Sequence, residues 1–163
     1  MSSVVQEMVA ILNRGVDCWN VFRSGRPDFV VMNDASLPEA QLPQVNLSRT
    51  IAMESNLRGA NLADASLELS VLRKSDLRNS NLRSANINGA DLCRADLSGA
   101  DLRDASLVRC FLKLANLRGA NLSTARGLTD AQLSIALGDD RTLLPVYVAR
   151  PATWTKTRPQ EVS

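Results

Sequence analysis

Asp76, Asp91, Asp96 and Asp101 stand at multiples of five residues from one another, a regularity that invites an acid–base or divalent-metal reading. Equivalent positions hold Asn56, Asn61, Asn81 and Asn116. Catalysis and hard-metal binding need the charge, whereas a side chain that trims a turn by bonding to nearby backbone does not. The exchange of Asp for Asn therefore assigns these positions to structure. Arg58, Arg78 and Arg118 form one series at multiples of twenty, and Arg83 and Arg103 another. They could hold an anion, but Asp76, Asp96 and Asp101 flank them, so a solvated, ion-paired surface is expected. Ser48, Ser98 and Ser123 have no base to activate them, because the chain contains no histidine. Three cysteines, Cys18, Cys93 and Cys110, lack C-x-x-C spacing and read as reduced thiols, with Cys93 expected outward and Cys110 inward. Gly59, Gly89, Gly99 and Gly119 form no phosphate-cradling loop, since no strand-to-helix junction follows them. No catalytic, cofactor-binding or metal-binding residue is assigned, and the chain is read as non-enzymatic.

The elements that carry these residues follow from a period of five. From Ala35 to Thr124, 90 residues fall into 18 repeats in one unbroken register, and 16 of the 18 central positions are Leu. Ile87 and Ala52 are the exceptions; two positions earlier, 11 of 18 residues are Ala and the others are small. Val30–Asp34 reads as a degenerate repeat ahead of them. On an α-helix, residues five apart rotate by about 140° per step and spread over every side. On a straight strand, an odd spacing alternates faces. A chain that bends once per repeat sends every Leu inward, and such bends must stack to bury their ends, which makes a solenoid. The composition agrees: among 163 residues 45% are apolar but only 4% aromatic, so burial comes from many small, similar side chains.

The Ala-(Asp/Asn)-Leu-x-x pattern resembles that of the pentapeptide-repeat proteins. The resemblance implies an all-β solenoid, a right-handed quadrilateral β-helix with four repeats per coil. Twenty-residue coils then make 4.5 turns of the 90-residue run, a rod roughly 20 Å long at a strand spacing of about 4.8 Å. Leu37, Leu57, Leu77, Leu97 and Leu117 would line one inner edge, and Leu42, Leu62, Leu82, Leu102 and Leu122 the next. Ala52 leaves a gap between Ile51 and Met53, where a local distortion is expected.

An open β-helix exposes raw core and an unpaired edge at each end. Short helical caps are therefore expected: residues 1–29 as an N-terminal helical cap, 30–124 as the repeat, and 125–163 as a C-terminal helix and extended tail. Ser3 and Gln6 read as a capping box before the helical spacing Val5, Met8, Val9 and Leu12, with Gly15 breaking that helix. Trp19 and Phe22 read as plugs over the first coil, and Trp19-Asn20-Val21-Phe22-Arg23 resembles a flank seen before many bacterial pentapeptide repeats. Thr129–Gln132 is a second capping box, opening a helix Asp130–Leu137 that lays Leu133 and Leu137 on the last coil and stops at Gly138. The Pro145–Trp154 stretch is expected to pack back along the rod, with Trp154 as a further cap and residues from Lys156 onward frayed. Met1–Glu7 lacks a basic targeting segment and no apolar run approaches membrane-spanning length, so a cytoplasmic protein is expected.

One column departs from the repeat. Where Asn or Asp is usual, Ile51, Val71 and Phe111 stand twenty residues or multiples of twenty apart, interrupted by Asp91, with Met53, Leu69, Val108 and Leu114 expected nearby. Outward apolar residues in a band mark a contact surface, covered either by a terminal segment or by a partner, which includes a second copy in a homodimer. The leading function is a scaffold or protein-binding module presenting a rigid face. The alternative implied by the resemblance is a DNA-mimicking protector of type II topoisomerase. That role needs an acidic surface, whereas residues 30–124 carry ten acidic against eleven basic side chains and the whole chain is +2. Interspersed carboxylates and few aromatics likewise leave nucleic acid out of the expected partners, and membrane with it.

Overall fold

The computed structural model describes residues 2–26 and 28–154. Each repeat is built from three short-range facts. In nearly every repeat the small residue and the central Leu are buried, the residue between them pairs with another chain segment, and the remaining two form a turn closed by an i→i+3 bond such as Ala60 N–H to Leu57 C=O at 3.1 Å. The second turn residue is left-handed from Asp34 to Gly119, with φ between 52° and 69°. Pairing is parallel and advances by twenty residues: Ser36 with Asn56, Gln41 with Asn61, Asn46 with Ser66, Ile51 with Val71, and so on upward. Successive twenty-residue stretches are thus tied together at four positions each, and Leu side chains twenty apart stack in the interior, each worth about 2 kcal/mol of transfer free energy.

The degenerate repeat at Val30 joins this scheme. β1 (Val30–Val31) pairs in parallel with β2 (Thr50–Ile51), and Met32 N–H donates to Ile51 C=O at 2.8 Å. At the other end the pairing runs slightly past Thr124, to Ser106 with Arg126. The register is kept at Ala52, because Ile51 pairs with both Val31 and Val71, and the distortion is confined to the turn that follows, where the closing Ser55 N–H to Ala52 C=O bond of the other repeats is not formed. The missing side-chain volume appears instead as an internal void of about 10 Å³ lined by Met32, Ala52, Leu72 and their neighbours, including Thr50 and Ser70. The Thr50 and Ser70 hydroxyls are buried without a partner among the described residues, whereas Ser75 and Ser80 donate to the carbonyls of Leu72 and Leu77. An unpaired buried hydroxyl costs about 1–3 kcal/mol. Ser70→Ala and Thr50→Val are therefore expected to raise stability by about 1 kcal/mol each in urea unfolding; a loss of stability in both would contradict the unpaired assignment.

Two helices close the lower end. α1 (Ser3–Asn13) is capped by Ser2, whose Oγ accepts from Val5 N–H; the box expected from Ser3 and Gln6 is displaced because Ser3 is already the first helical residue. It buries Val5, Met8 and Leu12. Gly15, at φ 117°, turns the chain into α2 (Val16–Ser24). The side chains of α2 then stand in for the coil that is absent below residues 44–48. Trp19 is fully buried and its indole N–H donates to Asn46 C=O at 2.7 Å. Asn20 accepts from Asn46 N–H at 2.8 Å and donates to Gln44 C=O, and Arg23 donates to Ser48 C=O at 2.6 Å. Phe22 is half-buried, 5.4 Å from the Trp19 ring and under the Arg26 guanidinium.

The upper end departs from expectation. The Thr129–Gln132 capping box forms, but α3 covers only Asp130–Ser134. Leu133 is fully buried, whereas Leu137 points outward and is 37% exposed, with Ala136 buried in its place. The reason is competition for backbone: Leu137 pairs with Asn116, its N–H donating to Ala115 C=O and its C=O accepting from Leu117 N–H, which satisfies an open edge that a longer helix would leave bare. Gly138 accordingly does not end the helix; it lies under Trp154, where a Cβ would come within 2.3 Å of the ring. Nor does the tail run back along the stack. Leu143 pairs with Asn121, Tyr147 donates to Ala125 C=O at 2.7 Å, and buried Trp154 donates to Ala136 C=O at 3.1 Å, all across the end. The segment from Lys156 onward lies outside the described residues.

Candidate functional site

Three of the four paired columns are polar and stitch their own turns. Asn56, Asp76, Asn81, Asp96, Asp101 and Asn121 each accept through Oδ1 from the N–H two residues on, as the Asp/Asn exchange required. The arginine series are largely neutralised at the surface: Arg78 bridges Asp76 at 2.5 Å, Arg103 bridges Asp101 at 2.5 Å, and Arg83 reaches Asp104 at 3.5 Å. The Arg78 and Arg103 guanidinium groups beside Asp76 and Asp101 hold those carboxyls below their usual range. Asp96 instead accepts from Asn116 Nδ2. Burial pushes the Cys110 thiol up to about 12. Cys93 is also raised, by burial first and then by Asp91, so neither sulfur is a ready nucleophile.

The fourth column is Val31, Ile51, Val71, Asp91 and Phe111, paired end to end. Phe111 is 60% exposed and Val31 49%, while Ile51, Val71 and Met53 are half-buried. Here the turn-stitching acceptor is missing except at Asp91, whose Oδ1 takes the Cys93 N–H. The neighbouring turns supply Leu69 on one side and Leu114 on the other, at φ 56° and 59°. A branched, apolar side chain is costly in left-handed backbone. Of the non-glycine residues with positive φ among the described residues, these two are the apolar ones, and both border the apolar column while remaining more than 40% exposed. Leu69 lies over Gly89, where a Cβ would stand 2.7 Å from its Cδ2. Val108 is partly taken up by the upper cap, against Gly127. The described part of the tail does not cover the column, because its bonds go to the end of the stack.

A second component of this face is not apparent in the linear sequence. Arg73, Lys74, Arg94 and Lys113, with Cys93, line one cleft of about 260 Å³ at the turn that follows the apolar column. Arg73 pairs with Asp91 at 2.6 Å and Lys74 with Glu54 at 2.7 Å; among the described residues neither Arg94 nor Lys113 has an ion-pair partner. These cations are scattered in the sequence, and only alignment at the twenty-residue period would have gathered them. Among the described residues no cluster of three or more His, Cys, Asp or Glu side chains could hold a metal, and no helix is long and apolar enough to cross a membrane.

A family model described as pentapeptide repeats matches residues 31–68, 60–99 and 95–126, with eight copies. No curated protein matches the chain in sequence. Among solved structures, a pentapeptide repeat protein from the Arabidopsis thaliana thylakoid lumen is 25% identical, with a TM-score of 0.60 over 66% of this chain and 72% of that one. One from the cyanobacterium Cyanothece 51142 is 23% identical, with a TM-score of 0.59 over 77% of this chain and 97% of that one. A third, from Nostoc PCC 7120, is 36% identical over 77% and 80% of the two chains, with a TM-score of 0.41.

Proposed function

The chain belongs to the pentapeptide-repeat family, and from that premise we propose that it is a non-enzymatic, cytoplasmic protein-binding module built on a right-handed quadrilateral β-helix. Residues 30–124 form the rigid body, and the described residues on either side of it form the caps. The observation that carries the reading is the outward column of Val31, Ile51, Val71 and Phe111, bordered by two leucines held in left-handed turns. The other three columns hold polar residues at the same position within the repeat, mostly turn-stitching Asn or Asp, so the apolar choice here gives up local hydrogen bonds for surface that only a partner would cover. Such a face suits recognition along an extended surface rather than turnover in a pocket. The cationic turn beside it is opposite in sign to a phosphate-like surface, which makes the topoisomerase-protector alternative the weaker reading.

Phe111→Glu and Val71→Glu are expected to abolish capture of the partner from host cytoplasm, or self-association by light scattering, while leaving the melting curve of the isolated protein unchanged. Identical capture and identical solution mass for both variants and the native chain would refute the contact face.

A further inference from the structure

We propose that the segment docking on this face is acidic: an extended stretch of a partner protein in which apolar residues alternate with Asp or Glu. The inference rests on the contact-face reading above and names the partner's chemistry. The apolar strip and the cationic cleft are not separate patches, because they are consecutive positions of the same repeats. Val71 precedes Arg73 and Lys74, Asp91 precedes Cys93 and Arg94, and Phe111 precedes Lys113. A segment whose apolar side chains cover Val71 and Phe111 therefore brings its flanking side chains to Arg73, Lys74, Arg94 and Lys113.

The charges there are unbalanced. Asp91 and Glu54 answer Arg73 and Lys74, leaving Arg94 and Lys113 with no carboxylate among the described residues. Glutamates or aspartates on the partner supply the missing countercharge, while lysines or arginines would be repelled. A second copy of this chain meets the cleft with a near-neutral surface whose carboxylates largely bond within their own face. Nucleic acid would satisfy the cations but little of the strip, because Phe111 is its one aromatic and Val31, Ile51, Val71, Leu69 and Leu114 offer bases no stacking platform.

The test uses the full chain and three probes in fluorescence anisotropy: a labelled peptide alternating Leu and Glu, its Leu and Lys counterpart, and a single-stranded DNA oligonucleotide. The Glu peptide is expected to bind, with affinity falling as salt rises, and R94E/K113E is expected to weaken it about tenfold or more. F111S, which keeps the cations, is expected to weaken it as well, and both variants should melt like the native protein. Three results overturn the proposal: equal binding of the Lys peptide, no effect of R94E/K113E, or binding of DNA without the Glu peptide. Sedimentation showing a dimer disrupted by Phe111→Glu but not by R94E/K113E would also overturn it. In that last case the contact face stands and the acidic partner falls, so the two readings fail separately.

Discussion

Trp19→Ala should destabilise the protein by about 3–5 kcal/mol, the range for deleting a fully buried Trp. The indole fills the open end of the core and is completely buried, and it also satisfies the Asn46 carbonyl, which has no coil beneath it to pair with. Trp19→Phe keeps most of the filling and loses only the bond, so it should cost markedly less. Because the stack is held by neighbour contacts, the loss should appear first as opening of the lowest coil, with a lower and broader thermal transition. The freed edge of residues 44–48 is then a template for another chain, so the alanine variant should also aggregate on heating. Urea unfolding of the three proteins, with light scattering during the melt, checks this. A Trp19→Ala midpoint equal to the native one would mean that α2 holds the end by its Asn20 and Arg23 bonds alone.

Trp154→Ala is the counterpart at the upper end and should cost about 3 kcal/mol or more. Trp154 is 2% exposed, donates to Ala136 C=O, and packs against Gly138. Gly138→Ala offers an independent route to the same lesion, since its Cβ would meet the ring at 2.3 Å and force it out, an overpacking cost of about 1–3 kcal/mol. Both variants should become sensitive to protease between Asp139 and Trp154, where Asp139 and Arg150 otherwise anchor the chain. The Asp139 carboxylate accepts from Gly119, Arg141 and Thr142, and the Arg150 guanidinium donates to the carbonyls of Asp139 and Thr142. Unchanged melting and unchanged cleavage in both variants would show that the tail is not part of the cap.

The interior was readable because one rule, a Leu or small residue at fixed intervals, repeats often enough to outweigh any local preference. The buried plugs Trp19, Leu133 and Trp154 were readable too, since large apolar residues beside an open core have few other places to go. What escaped the sequence had to do with competition and with phase. Leu137 continues a helical pattern from Leu133, but the bare edge at Asn116 outbids another helical turn for its backbone. Ala52 looked like a weak point, yet pairing on both sides of Ile51 keeps the register, so the deficit shows only as one unclosed turn and a void. Leu69 and Leu114 are ordinary exposed leucines in the sequence; only the backbone angle reveals that they sit where leucine is costly. Arg94 and Lys113 are lost among nineteen basic residues until the twenty-residue phase places them together.

The parallel register also sets how this chain can change length. A whole multiple of twenty residues, added or removed within the repeat, returns every column to its own kind and leaves each end facing its cap. Five residues added near Leu82 would keep the interior intact, since Leu would still follow Leu, but would carry everything above it one column around. Asp91 and Phe111 would then stand above Asp76 and Asn56 instead of Val71 and Ile51, and Arg94 and Lys113 would leave Arg73 and Lys74. The core tolerates steps of five while the face tolerates only steps of twenty, so the surface is the more demanding constraint on this sequence.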